Sequence, residues 1–291
     1  MVRRRKPPAR LRALRTLLAA AMLTSASLTG TAGAAPPVAP SRGFNDFTCR
    51  PSAAHPRPVV LVHGTGANSI SNWALLAPYL VARGYCVFAL DYGQVGVPMV
   101  HGLGPIEEGA AQLADHVDRV RVATGAREVD MVGQSQGGLM PRYYLKYLGG
   151  AEEVREFVGI VPPNHGTTLN GLSNILRATG LEGVTLNTFP AVAQQLAGSD
   201  FLTDLNRGGD TVPGVHYTVI ASRYDENVTP VWSAFLDGPN VRNLFVQDLC
   251  PLDISSHVAT GITDRVTHHE IANILDPAHA TPTTCASVSL L

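Results

Sequence analysis

Ser135 stands in Gly133-Gln134-Ser135-Gln136-Gly137, where a short apolar run gives way to a helix-like segment. A serine hydroxyl is a weak nucleophile at neutral pH unless a base removes its proton and an acid orients that base. The small residues at 133 and 137 suit a sharp strand-to-helix turn that lifts the hydroxyl clear of a sheet edge, and Gly138 suits close packing of the helix on the strand. A phosphate-binding turn is the competing reading. However, Gly133, Gly137 and Gly138 do not match a dinucleotide fingerprint, and "HGTGANS" has Ser69 where its third glycine should be. Ser135 therefore reads as a nucleophile for acyl transfer.

A nucleophile on such a turn predicts an acid and then a histidine, in that order, each on a loop after a later strand. Asp225 in "SRYDENVTP" follows the apolar run "VHYTVIAS". Glu226 is its rival, and Asp248 and Asp253 are later alternatives. His257 in "DISSHVATG" lies past the last strand-like run and before a helical segment. His268 and His269 fall inside that segment, His216 enters a strand, and His279 lies in a Pro-rich tail. His165 precedes Asp225 and breaks the expected order. An oxyanion needs two backbone N–H donors. Gln136 supplies one as the residue after the nucleophile, and Thr65 in "VLVHGTGANS" supplies the other.

The elements around these residues alternate. "RPVVLVHG", "YCVFALDYG", "EVDMVG", "EFVGIVP", "HYTVIAS" and "RNLFVQDL" read as buried strands, and "NWALLAPYLVARG", residues 105–125, "LMPRYYLKYL" and "DRVTHHEIANIL" as helices. This rhythm predicts an α/β fold: one open, doubly wound, mostly parallel sheet with helices on both faces. Residues 165–206 interrupt it with short helical patterns rich in Gly and Thr. They read either as a cap- or lid-like insertion over the C-terminal sheet edge or as an ordinary helical crossover.

Residues 1–34 combine a basic start, an apolar middle and Ala32-Gly33-Ala34 as a small-residue cleavage site, the three parts of a secretory signal peptide. The apolar part is too short to be a transmembrane anchor. Residues 35–291 then form one mature domain, expected to be extracellular and monomeric. Seven of the 22 basic residues and no acidic ones lie in the leader, leaving 15 against 23, a net charge near −8 with His neutral. Such a surface argues against nucleic acid as a partner. Lys146, the one lysine outside the leader, sits on a surface-type helix and is set aside for Schiff-base chemistry. Four cysteines in an exported chain suggest two disulfides. Of three possible pairings, Cys49–Cys86 and Cys250–Cys285 are favoured, each within its own end of the chain. No Cys/His spacing suggests zinc, and no metal site is expected. Asp200, Asp204 and Asp210 could contribute to a calcium site, but their spacing fits no recognised loop.

The stretches "PSAAHPRPVVLVHGT", "LAPYLVARGYCVFALDYG", "HGLGPIEE", "QSQGG", "NHGTTL", "GGDTVPGVHYTVIASRYDENVTP", "LDGPNVRN" and "LDPAHATPTTCAS" closely resemble the secreted triacylglycerol lipases of actinobacteria, in the α/β-hydrolase superfamily. The resemblance covers nearly all of the mature chain. It implies hydrolysis of acylglycerols and simple esters, with no cofactor, at an oil–water interface. It places the triad on Ser135, Asp225 and His257, the oxyanion donors on Thr65 and Gln136, and the disulfides on the pairing above. Two positions depart from the pattern. Gln134 stands where such lipases often have His, and Gly66 where a bulky residue is expected; both are expected to border the acyl pocket. The same triad would serve a carboxylesterase, a cutinase-like polyester hydrolase or a secreted acyltransferase. A non-catalytic binding module usually lacks a triad member, and none is missing here. Nothing points to peptide recognition.

Overall fold

The computed structural model describes residues 43–96, 98–170 and 188–289. The leader read over 1–34 and part of the 165–206 segment, 171–187, lie outside the described residues. Strands β1 (Val59–Val62), β2 (Val87–Leu90), β3 (Val129–Gln134), β4 (Val154–Ile160), β5 (His216–Ala221) and β6 (Val241–Phe245) form one sheet in the order β2-β1-β3-β4-β5-β6, every pair parallel. Among the described residues the α-helices are α1 (Ser69–Asn72), α2 (Leu76–Val81), α3 (Ile106–Thr124), α4 (Gln136–Tyr147), α5 (Pro190–Gln194), α6 (Asp200–Asn206), α7 (Val246–Leu249), α8 (His257–Ile262), α9 (Arg265–Leu275) and α10 (Cys285–Ser289).

Parallel strands need crossover helices, and those helices cover both faces of the sheet. Successive strand residues point to opposite faces. Val60, Val62, Phe88 and Met131 therefore pack in one core with Leu113 of α3 and Leu139 of α4. Val59, Leu61, Val87 and Val132 pack in the other with Leu80 of α2 and Ile271 of α9. This is the doubly wound sheet that the alternation predicts.

Local chemistry sets the element ends. Pro105 precedes α3, Glu107 and Glu108 occupy its first turn, and Gly125 closes it at φ 73°. The run "NWALLAPYLVARG" is not one helix. Asn68 caps α1 by accepting from the N–H groups of Ile70 and Ser71, and Pro78, which has no N–H, sits in the first turn of a separate α2. The run "RNLFVQDL" is strand only to Phe245. There Asp248 Oδ2 accepts the Phe245 N–H at 2.9 Å and turns the chain into α7. The cysteines pair as Cys49–Cys86, which ties the lead-in segment to the start of β2, and Cys250–Cys285, which ties the end of α7 to α10.

Candidate active site

Ser135 lies between β3 and α4 with φ 56° and ψ −124°, a backbone conformation that non-glycine residues rarely adopt. Its N–H donates to Ile160 O at 2.8 Å, so β4 holds the turn in place. The flanking glycines follow from close approach. A Cβ at Gly133 would collide with the Gly137 carbonyl, and one at Gly137 with the Val62 carbonyl. The pattern thus lets α4 start directly against β1 and β3, with the Ser135 side chain at the C-terminal sheet edge.

The loops after β5 and β6 bring Asp225 and His257 to that edge. His257 Nε2 lies 2.9 Å from Ser135 Oγ, and His257 Nδ1 lies 2.8 Å from Asp225 Oδ2. Asp225 Oδ1 accepts the N–H groups of Asn227 and Val228, both at 2.8 Å. Both side chains are buried. A carboxylate at Nδ1 selects the tautomer with its proton there and leaves the Nε2 lone pair facing the serine. Glu226 has a different place: its carboxylate accepts the backbone N–H of His257 at 3.0 Å, at the start of α8.

Gln134 is buried away from solvent. A Cβ on Gly64 would press on its Oε1, and one on Gly261 of α8 would collide with its Cγ. Gln134 thus packs between Gly64 and α8, the helix that carries His257. Gly66, at φ 74°, has open space where its side chain would be.

Thr65 follows β1 in a loop pinned by two backbone bonds, Gly66 N–H to His101 O at 2.8 Å and His101 N–H to Ala67 O at 3.0 Å. Among the described residues, the backbone N–H groups of Thr65 and Gln136 have no acceptor. Gln136 is the first residue of α4, so the helix offers its N–H no partner and the helix dipole favours negative charge there. Behind the loop, buried His63 donates from Nδ1 to Gly64 O at 2.8 Å and stacks on Tyr92. Burial pushes its pKa down to about 4, so it is neutral near pH 7.

The other sequence candidates stand apart from this group. His165 Nε2 is 3.2 Å from Asp210 Oδ2, and that bond raises the imidazole pKa. Asp210 also lies 3.6 Å from the buried Arg142 guanidinium. Asp200 and Asp204 are on α6. Among the described residues, no three His, Cys, Asp or Glu side chains gather as metal ligands. Asp248 pairs with Arg223, and Asp253 accepts the Ser255 N–H. One residue that sequence reasoning does not single out reaches the site. Gln195, after α5, places Nε2 at 3.0 Å from Thr65 Oγ1 and 3.2 Å from Gln136 Oε1. A lone glutamine in a segment without clear periodicity carries no sequence signal for this.

A family model described as lipase (class 2) matches residues 56–260. The chain belongs to the class 2 lipases. Similar curated proteins include the triacylglycerol lipase of Pseudarthrobacter phenanthrenivorans, 30% identical over 160 residues that cover 52% of this chain and 48% of that one. The triacylglycerol lipase of Burkholderia plantarii is also 30% identical over 160 residues, covering 52% and 43%. Lipase B of Pseudozyma antarctica is 26% identical over 214 residues, covering 70% and 57%. This class 2 lipase thus spans about half the length of the curated relatives it matches. In fold it is similar to lipase B of Aspergillus fumigatus, with TM-score 0.62 and 22% identity over 78% of this chain and 54% of that one. It is also similar to the mature lipase BlEst2 of Bacillus licheniformis, with TM-score 0.57 and 20% identity over 78% and 94%. The last two likenesses establish the α/β-hydrolase fold.

Proposed function

We propose that this chain is a secreted serine lipase that cleaves acylglycerol esters through an acyl-enzyme on Ser135. The observation that carries the reading is the unbroken relay Ser135–His257–Asp225 at 2.9 and 2.8 Å, on a serine held at positive φ. The ester carbonyl enters between Ser135 Oγ and the N–H groups of Thr65 and Gln136. His257 Nε2 takes the serine proton as the Oγ–C bond forms, and the carbonyl oxygen becomes an oxyanion on those two donors. As the carbonyl re-forms, the ester C–O bond breaks and His257 gives its proton to the departing alcohol. Water then attacks the acyl-enzyme by the same route, releasing the acid and restoring Ser135. Throughout, Asp225 holds the imidazole and offsets its transient positive charge.

The choice of a lipid surface as substrate rests on where apolar side chains are exposed. Among the described residues, eight large apolar side chains are more than half exposed. Seven of them, Ile70, Met99, Tyr224, Trp232, Leu252, Ile254 and Val258, lie on the connections after β1, β2, β5 and β6. The connections after β3, β5 and β6 also carry Ser135, Asp225 and His257, and exposed apolar side chains suit adsorption to an apolar phase. Residues 1–34 act as the cleaved leader and 35–291 as one mature, monomeric domain. Two disulfides suit an oxidising compartment, and no described helix is long and apolar enough to cross a membrane.

The test compares hydrolysis of emulsified long-chain triacylglycerol with that of a soluble short-chain ester, by wild type and by Ser135→Ala. Strong activity on the emulsion, lost in the variant, is expected. Activity confined to the soluble ester would replace the lipase reading with a carboxylesterase, and a folded Ser135→Ala protein with near-normal activity would overturn the serine mechanism itself.

A further inference from the structure

We infer that Gln195, at the end of α5, is a positioning residue for the Thr65 and Gln136 N–H pair. This rests on the serine-hydrolase reading above. Gln195 is buried at the end of α5. Its Nε2 donates to Ala191 O at 2.8 Å and to Thr65 Oγ1 at 3.0 Å. Thr65 Oγ1 in turn donates to Gln136 Oε1 at 2.6 Å. A hydroxyl has one proton. With a lone pair of Thr65 taken by Gln195, that proton is directed at Gln136, and one amide fixes both side chains that flank the anion seat.

Gln136 depends on this arrangement. It is fully buried, and among the described residues its Nε2 has no partner, so its amide is held through Oε1 alone. The backbone behind it is tightly packed: a Cβ on Gly102 would lie 3.1 Å from Gly64 O and 3.5 Å from Gln136 Oε1. Oxyanion donors work because they are oriented before the charge appears, and Gln195 supplies that orientation from the opposite side.

The platform for Gln195 is anchored independently of its own side chain. Gln194 Oε1 accepts the Ile106 N–H at 2.8 Å, and Gln194 Nε2 donates to Glu107 Oε2 at 2.6 Å, at the start of α3. Docking of α5 and orientation of the anion seat can therefore be separated by mutation.

Removing an oxyanion donor outright costs about a hundredfold or more in turnover, so losing a group that orients two of them is expected to cost about tenfold. Gln195→Leu should lower kcat on a soluble ester by that factor with KM nearly unchanged. It should weaken a boronic acid that forms a tetrahedral adduct on Ser135 by the same factor, and leave the melting temperature close to wild type. Gln195→Glu keeps the shape but sets a carboxylate beside the developing negative charge, and should lose more kcat than Gln195→Leu. Gln194→Leu, which cuts the α3 anchor but leaves the partners of the Gln195 side chain in place, should lose clearly less kcat than Gln195→Leu. The inference is overturned by a folded Gln195→Leu protein with wild-type kcat, by unchanged boronate affinity, or by an equal kcat loss in Gln194→Leu. Ser135→Ala run alongside separates the two readings. Its inactivity together with a silent Gln195→Leu removes only the role of Gln195, whereas its full activity removes the serine mechanism.

Discussion

Two adjacent carboxylates illustrate how much one residue of displacement matters. Asp225 faces His257 Nδ1, while Glu226 accepts the backbone N–H of the same histidine. In the proposed mechanism the first sets the tautomer of the base, while the second binds the start of its helix, so their substitutions should differ in kind. Asp225→Asn is expected to keep the fold and lower turnover by about 10⁴-fold, because the amide favours the wrong tautomer. Glu226→Gln keeps an acceptor for the His257 N–H and should lose less than about tenfold, as expected where a hydrogen bond is weakened and not removed. Turnover of a soluble ester, with circular dichroism as the check on folding, decides both. Equal losses would mean that either carboxylate can serve the base. Position past the end of a strand marked Asp225 in the sequence ahead of its neighbour. The bond from Glu226 to the backbone leaves no such mark, because it depends on where a loop from another strand arrives.

At the scale of elements, legibility follows the source of each boundary. Strands β1 to β5 could be read because both faces of a parallel sheet are buried in its interior, and this forces apolar runs such as Val59–Val62. The break between α1 and α2 was obscured by an apolar pattern that runs straight through it, although Pro78 carries the signal. The end of β6 was hidden because a side chain, Asp248, competes for a backbone N–H that the strand would otherwise use. Gln195 could not be read at all, since its partners lie 59 and 130 residues away. The disulfides act at this scale as well. Their sequence separations, 37 and 35 residues, are nearly equal. Loop-closure entropy then predicts that Cys49→Ser/Cys86→Ser and Cys250→Ser/Cys285→Ser each cost about 4 kcal/mol and agree within about 1 kcal/mol. Urea unfolding midpoints measure both. A much larger loss for one pair would show that it also holds native contacts, as Cys250–Cys285 could through α10.

Across the whole molecule, buried histidines make stability depend on pH. His63, His116 and His268 have pKa values pushed down to about 4 by burial, so each is neutral in the fold and takes up a proton on unfolding. Their contribution is complete above about pH 6.5, the unfolded value, and is lost as pH falls toward 4. Asp130 and Asp264 act in the opposite sense. Burial raises both to about 6, so their contribution is complete below about pH 3.8 and lost as pH rises through 6. Three histidines against two carboxylates leave a net loss on acidification. His116→Leu isolates one group: between pH 8 and pH 5 it should lose about 2 kcal/mol less unfolding free energy than wild type. Parallel pH profiles for the two proteins would rule this out. The spacing of the relay has another consequence. His257 follows Ser135 by 122 residues, on the far side of the last strand of the sheet. On the proposed mechanism, synthesis from the N-terminus supplies the nucleophile long before its base. By the same mechanism, a chain truncated before β6 is expected to show no esterase activity, and ester hydrolysis by such a folded truncation would count against His257 as the base.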